Sequence, residues 1–198
     1  MIQIVKANKG DKDTRTNMSK LFVYSFYNMF KRFCKDKEKL SKAFRHIFDM
    51  NSFYIVLLDK EIIGIGAISD GKAPVKLNKR KLCFHLGIRC GKKIYDYLNK
   101  VIVRREYNFE MDKNCGMLEF VCVKEPYKGK KVGFTLINHI IHDNKYIRYL
   151  VKVANNNYRA KRLFENIGFE EFDDEQATIM EKEDMGVDNY LYMIYQKN

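Results

Sequence analysis

A glycine- and lysine-rich turn at residues 128–133 is the part of this 198-residue sequence best suited to bind an anion. It follows an apolar run at residues 116–123 and opens a helical pattern at Val132. The first N–H groups of a helix have no internal partner and lie at the positive end of its dipole, and glycine lets the backbone approach a ligand closely. The turn therefore predicts a phosphate site, although the glycine spacings of dinucleotide-binding and Walker loops are both absent.

A second segment, residues 155–169, has the start and stop signals of a helix. It begins with three asparagines, which are typical N-cap residues, and it reaches Gly168, a residue type that commonly follows a helix end. The sequence therefore places a second helix after the one that the phosphate turn opens.

Together these segments resemble the GNAT superfamily of N-acetyltransferases. The family's phosphate turn reads roughly Val-x-Pro-x-Tyr-Arg-Gly-x-Gly-x-Gly, and the positions that match it are Val123, Tyr127, Lys128 in place of arginine, Gly129 and Gly133. The family's next helix reads roughly Asn-x-x-Ala-x-x-Leu-Tyr-Glu-x-x-Gly-Phe, and the positions that match it are Asn157, Ala160, Leu163, Glu165, Gly168 and Phe169. The resemblance is clear over residues 115–172 and extends weakly to residues 52–69 and 189–196.

Three positions depart from the family pattern. Lys131 stands at the family's middle glycine, and Pro126 comes one place later than usual. Phe164 occupies the position of a tyrosine that often acts as a general acid. The first two changes concern loop geometry and leave cofactor binding expected, whereas the third leaves the catalytic proton donor unassigned.

The resemblance implies direct transfer of an acetyl group from acetyl-CoA to a primary amine. It also implies that strand backbone pairs with the pantetheine arm of coenzyme A and that the turn amides hold the pyrophosphate. Asn157 is expected to bond the pantetheine, to cap its own helix, or both. The cofactor-binding residues predicted in this way are Val121, Val123, Lys128, Gly129, Lys130, Lys131, Val132, Gly133 and Asn157.

Glu119 is the candidate general base, because an acceptor amine must lose a proton as it attacks a thioester. It lies four residues before Val123 in an otherwise apolar strand, where partial burial would raise its pKa towards neutrality. Its resemblance to a strand glutamate of many GNAT enzymes supports the role. Strand alternation predicts that Glu119, Val121 and Val123 share one face. A solvated glutamate or a salt bridge is the alternative.

The leaving thiolate has several candidate proton sources. Phe164 cannot donate a proton, which leaves Tyr190, Tyr192 or Tyr195 on the predicted last strand, or solvent. Cys122 lies beside the expected cofactor channel, but direct transfer needs no covalent enzyme, and cysteine is more often a small buried hydrophobic residue.

The net charge of +12 favours an anionic ligand or partner, and coenzyme A alone is sufficient to explain it. A lysine-rich composition without functional meaning, nucleic acid and a membrane surface are alternatives. The lysines are scattered among acidic residues and are not gathered on one predicted helix, which disfavours nucleic acid.

The longest apolar region, residues 53–68, is interrupted by charged residues and is too short to span a bilayer, so no membrane partner is expected. The five cysteines lack zinc-ligand spacing and suit a reducing cytoplasm, so no metal is expected.

The periodicities and the resemblance together predict one α/β domain over residues 1–198, with a mixed, mostly antiparallel sheet flanked by helices. Residues 53–58 and 62–68 read as a β-hairpin. Residues 70–114 do not fit a minimal GNAT core and read as a helical insertion, with helices at 79–86 and 92–106. We interpret the insertion as a lid, a substrate wall or a dimer surface, or as a passive elaboration.

The C-terminal part is predicted to hold a charged loop at residues 173–188 before a last strand at residues 190–195. The function expected from the whole sequence is that of a cytoplasmic acetyl-CoA-dependent N-acetyltransferase. Its acceptor is an amine-bearing small molecule or peptide that the sequence does not identify, and a homodimer is left open. The alternatives are a non-catalytic acyl-CoA-binding domain and a basic RNA-associated protein.

Overall fold

A computed structural model describes residues 1–197 and has a seven-stranded sheet at its centre. The strands are β1 (Ile2–Lys6), β2 (Phe53–Leu58), β3 (Glu61–Ser69), β4 (Cys115–Val123), β5 (Arg148–Ala154), β6 (Glu170–Gln176) and β7 (Asn189–Gln196). Their order across the sheet is β1-β2-β3-β4-β5-β7-β6, and every neighbouring pair is antiparallel except β4 and β5. The predicted fold class is therefore confirmed.

Seven α-helices accompany the sheet within residues 1–197. They are α1 (Thr14–Ser25), α2 (Lys37–Phe44), α3 (Lys79–Leu86), α4 (Ile88–Leu98), α5 (Val132–Asp143), α6 (Tyr158–Glu165) and α7 (Ile179–Met185). None of the helices in the described chain has the length and apolar character needed to cross a membrane.

Two apolar layers pack against opposite faces of the sheet because side chains alternate along each strand. Phe53 and Ile55 of β2 point into the layer built with α1 to α4, whereas Tyr54 and Val56 point into the layer beneath α5 and α6. At Gly66, an added Cβ would lie 3.3 Å from side chains of α5, so this strand glycine permits close packing of a helix.

The insertion is helical, as predicted, but its second helix begins earlier. Only Gly87, with φ +80°, separates α3 from α4, and a π-helical turn at Asn99–Val103 extends α4. The apolar stripe of these helices, including Leu82, Ile94 and Leu98, is buried in the layer of α1 and α2. The stripe is therefore covered within the chain itself.

The predicted charged loop at residues 173–188 contains regular structure instead. It includes the end of β6 and the whole of α7. Thr178 and Glu181 form a capping box at the start of α7, and Gly186 ends the helix in the left-handed conformation. These capping residues supply the local signal for a helix despite its high charge.

Candidate active site

An open slot divides the sheet between its two central parallel strands. Strands β4 and β5 pair only from Cys115 with Arg148 to Leu118 with Val151. Beyond this point β4 continues to pair with β3, and β5 continues to pair with β7. The facing edges at residues 119–123 and 152–154 therefore diverge and leave room for an extended ligand.

A bulge in β4 decides which side chains line this slot. Phe120 has φ +53°, and the register with β3 shifts between Ile65 and Ala67. Such a bulge places two consecutive side chains on one face. Glu119 and Phe120 therefore lie on the same face, where Phe120 packs with α1, whereas Val121 packs beneath α5.

The bulge makes the prediction of a common face for Glu119, Val121 and Val123 wrong. Both valines lie in the α5 layer, and Glu119 bonds with Ser69 and Arg105 on the opposite side. Simple alternation fails because the left-handed residue at position 120 resets it. A phenylalanine gives no sequence signal for this conformation, which bulky residues rarely adopt.

The predicted phosphate turn ends at the N-terminus of α5. Gly129 has φ +78°, and Lys131, at the N-cap, has φ +59°. Within residues 1–197, Thr135 is the first residue of α5 whose amide donates a hydrogen bond to the preceding turn. Its acceptor is the Lys131 carbonyl. The amides of Val132, Gly133 and Phe134 therefore remain free for an anion, as helix geometry requires.

Gly133 lies where this turn meets α6. A Cβ built on it would lie 3.1 Å from Leu163 Cδ2 and 3.8 Å from Val123 Cγ2. A larger side chain here must displace Leu163 or the loop. The glycine thus keeps the turn close to both the end of β4 and α6.

Asn157 occupies the N-cap of α6. Its side-chain oxygen accepts a hydrogen bond from the Ala160 amide at 3.2 Å. The capping role is therefore observed. On the same helix Phe164 is buried against Phe169, with ring centroids 5.2 Å apart, so this position serves the core.

Glu119 lies in a buried hydrogen-bonded ion pair. Its residue exposure is 9%, and one of its carboxylate oxygens accepts from Ser69 Oγ and from Arg105 Nη2, each at 2.8 Å. Arg105 Nη1 bonds the other oxygen. Burial opposes the charge of Arg105, but Glu119 outweighs it and raises the pKa of the guanidinium. This is the salt-bridge arrangement that the sequence left as an alternative.

Arg105 and Ser69 were not identified from the sequence. Ser69 ends β3, and Arg105 follows the π-helical turn of the insertion. A glutamate in an apolar strand signals that some cation must pair with it, because isolated buried charges are costly. The partner itself depends on how the insertion folds back, for which no local signal exists.

Two tyrosine–carboxylate pairs lie on the same face of the sheet as Glu119. Tyr192 donates to Glu175 at 2.5 Å, and Tyr190 donates to Glu181 at 3.0 Å. Burial raises the pKa of both phenols, and the neighbouring carboxylates add to the rise. Lys152 of β5 bonds Glu175 at 2.7 Å. Polar groups thus extend from the β5 edge of the slot towards α7.

Tyr195 lies on the other face of β7. It packs with Phe169 and Tyr149 in the α5 layer, so alternation separates it from Tyr190 and Tyr192. Of the three tyrosines predicted as proton sources, only Tyr190 and Tyr192 share the face of Glu119.

A sequence model of the acetyltransferase (GNAT) family matches residues 21–169. The chain belongs to the GNAT family.

Solved GNAT and other acetyltransferase structures share its fold. An N-acetyltransferase from Staphylococcus aureus Mu50 has a TM-score of 0.66 at 13% identity, over 98% of this chain and all of the other. A probable acetyltransferase from Staphylococcus epidermidis ATCC 12228 has a TM-score of 0.57 at 17% identity over 100% of both chains. A GNAT-family acetyltransferase from Streptococcus pneumoniae scores 0.56 at 16% identity, again over 100% of both. At these identities the likeness establishes the fold. Comparison with curated proteins gave no match.

Cys122 lies beside the slot of this GNAT fold but is poorly suited to act as a nucleophile. Its surroundings raise the pKa of the thiol to about 12, chiefly by desolvation. The thiolate, which is the reactive form, is therefore scarce at neutral pH. This agrees with the prediction that Cys122 packs as a small apolar residue.

Proposed function

We propose that this chain is an acetyl-CoA-dependent N-acetyltransferase that moves the acetyl group directly to a primary amine. The observation that carries the proposal is the slot between β4 and β5, which leads to the free amides at the start of α5. An elongated thioester with a phosphate end matches both parts at once.

The chain's own groups divide the binding of coenzyme A between them. Backbone groups at Val121 and Val123 lie on the open edge of β4 and pair with the pantetheine amides. The amides of residues 128–133 hold the pyrophosphate, and the lysines of that turn add positive charge. Asn157, at the N-cap of α6, completes the set of binding residues.

Acetyl transfer itself needs a donor for the oxyanion and a group that takes the amine proton. The amide of residue 121, directly after the bulge, is our candidate for the oxyanion donor because the bulge removes it from regular pairing. Glu119 remains our candidate base. Its ion pair with Arg105 must loosen, or a water must relay the proton, before it can accept one.

The acceptor side favours a cationic amine. Glu175 and Glu181 stand beside Tyr190 and Tyr192 on the face that Glu119 shares. Lys152 and Tyr192 hold the pKa of Glu175 below its usual value despite burial, so it stays negative. Lys152 already pairs with Glu175 and lies 4.4 Å from the centre of the Tyr190 ring. Glu181, which forms no ion pair within residues 1–197, is therefore the carboxylate on this face that would attract the ammonium group of an acceptor.

A non-catalytic acyl-CoA-binding domain is the second candidate. It is favoured by the buried pairing of Glu119 and by Phe164, which together leave neither a free base nor the family tyrosine. Steady-state turnover with a panel of amines separates the two functions, because both bind acetyl-CoA and only the enzyme releases free CoA.

The test of the binding site is calorimetric titration of acetyl-CoA into wild type and Gly133→Val. We expect the variant to raise the Kd by at least about fivefold, because a branched side chain forces the turn away from Leu163. Thr135→Val is the matched control on the same helix, since its amide already bonds within the chain. Equal affinities for all three proteins would remove the assignment of the turn.

A further inference from the structure

A large part of the net positive charge of the molecule lies in the insertion. Residues 71–95 contain no acidic residue and eight basic ones, against a net charge of +12 for the chain. These are Lys72, Lys76, Lys79, Arg80, Lys81, Arg89, Lys92 and Lys93. The expectation of scattered lysines is therefore wrong for this segment, where α3, α4 and the loop before them form one basic unit.

This basic unit is presented to solvent. All eight of its lysines and arginines are exposed. Within the part of the chain that the structure describes, Lys72 alone among them forms an ion pair, with Asp70 at 3.5 Å. The charges are thus available to an external anion, because the chain does not neutralise them itself.

Two large apolar side chains project from the same unit. Phe84 is 84% exposed and Ile88 is 81% exposed, and apart from Met1 they are the most exposed large apolar residues of residues 1–197. They flank Gly87, where α3 turns into α4. Exposing this much of an apolar side chain to water is unfavourable. Two such side chains at one helix junction therefore indicate an interaction surface.

On each of the two helices, the exposed apolar side chain has basic neighbours. Arg80 and Lys81 precede Phe84 by four and three positions, and Lys92 follows Ile88 by four. Residues at these spacings are neighbours on a helix surface. Leu82 is fully buried, so α3 presents Phe84 outwards while the opposite side of the helix packs inwards.

We propose that this basic tip, formed by the eight basic residues with Phe84 and Ile88, binds peripherally to an anionic membrane surface. Lysine and arginine are attracted to anionic headgroups, and exposed apolar side chains enter the interface between headgroups and acyl chains. The sequence argument against a membrane partner concerns segments that span a bilayer. Binding at the membrane surface requires no such segment.

Two other partners fit the tip less well. Lysine is depleted in protein–protein interfaces, whereas six of the eight basic residues here are lysines. Nucleic acid would use the charges and could stack on Phe84, but it gives no role to exposed Ile88. The aliphatic side chain beside the phenylalanine is what favours lipid.

The experiment is co-sedimentation of the full chain with vesicles of phosphatidylcholine, with and without phosphatidylserine, at low and high salt. We expect binding to the phosphatidylserine vesicles that weakens as salt rises, and little binding to pure phosphatidylcholine. The double variant Phe84→Ser with Ile88→Ser should reduce the apparent partition coefficient by about tenfold or more. Because both side chains are exposed, the variant should keep the wild-type Tm.

The matched control is Ile179→Ser, which removes an isoleucine that is 77% exposed on acidic α7. It should bind vesicles like wild type, whereas Ile88→Ser alone should bind less. Equal loss in the two single variants, or binding that ignores phosphatidylserine, would overturn the proposal. So would tight binding of single-stranded RNA that is insensitive to the Phe84 and Ile88 substitutions, or self-association that requires Phe84 and Ile88.

Discussion

Glu119 and Arg105 combine a structural role with a position beside the proposed reaction centre. Both carboxylate oxygens of Glu119 are hydrogen-bonded, and its side chain is 7% exposed. Removing one member of a buried ion pair leaves the other charge without compensation. Loss of activity alone therefore cannot distinguish a catalytic Glu119 from one that only holds Arg105 and the insertion in place.

For Glu119→Gln we expect two separable effects. The free energy of unfolding should fall by about 3 kcal/mol because Arg105 loses its counter-charge. If Glu119 is the base, kcat/KM for the amine should fall by roughly 10²-fold, with acetyl-CoA affinity nearly unchanged. Chemical denaturation and the pH–rate profile measure these effects.

Ser69→Ala is the control for that prediction, because it removes one hydrogen bond from Glu119 and leaves the ion pair. It should cost about 1 kcal/mol of stability and keep most of the wild-type kcat/KM for the amine, because the carboxylate remains. If Glu119→Gln keeps the wild-type pH–rate profile, Glu119 is a positioning residue and not the base.

Lys131 carries backbone strain that the family's usual glycine avoids. Its φ of +59° is left-handed, a conformation that costs a residue with a Cβ about 1 kcal/mol. Lys131→Gly should therefore raise the Tm slightly and preserve binding of acetyl-CoA, since the amide at this position is retained. Thermal melting and titration check this, with Lys130→Gly as the control that should gain no stability. A lower Tm for Lys131→Gly than for Lys130→Gly would contradict the strain argument.

At the scale of elements, a partly buried histidine after α2 lies near basic residues of the insertion. His46 follows α2, and its Nε2 is buried without a hydrogen-bond partner in the described chain. Burial lowers the pKa of His46, and the positive charge of Lys81 on α3 lowers it further. A hydrogen bond with the Ala43 backbone raises the pKa of His46, and the positive charges of His85 and Arg15 lower it.

This arrangement predicts a loss of stability in mild acid. The unfolded chain protonates His46 near its ordinary pKa of 6.5, whereas the folded chain resists protonation until a lower pH. The contribution of His46 is therefore present above pH 6.5 and is lost as the pH falls through that range. Between about pH 7 and pH 5, Tm should fall less in His46→Gln than in wild type. Parallel Tm curves for the two proteins would contradict this.

Regular elements were predictable where local chemistry is sufficient. The strand at residues 53–58 and the helix at 79–86 match the structure because apolar periodicity and turn residues bound them on both sides. Helix α7 is not predicted because its high charge indicates a loop, although Thr178 and Glu181 carry a capping signal. Glycine and lysine types alone also placed a turn at residues 128–133 before a helix, and its role in binding phosphate stays a prediction.

The candidate catalytic arrangement was less predictable. The bulge at Phe120 is a backbone conformation imposed by packing with α1 and β2, and it has no marker in the sequence. The pairing of Arg105 with Glu119 joins residues 14 positions apart and depends on the irregular path of the insertion between them. Contacts of this kind are set by the tertiary structure and not by local pattern.

At the scale of the whole molecule, charge is divided between two regions. The basic tip carries eight positive charges, whereas residues 170–188 contain nine acidic residues and one lysine. The acidic region includes Glu175 and Glu181, which lie on the proposed acceptor side. Such separation directs anionic and cationic partners towards different parts of one surface, most strongly at low ionic strength.

The divergence of β4 from β5 also has a consequence for the behaviour of the protein in solution. Two strand edges in the middle of the sheet, at residues 119–123 and 152–154, have no strand partner across the slot. An open edge is a template for adding a foreign strand, which is how many folded proteins begin to aggregate. A cofactor lying along the slot would shield these edges, so the concentration of coenzyme A in a sample should govern how long the protein stays monodisperse.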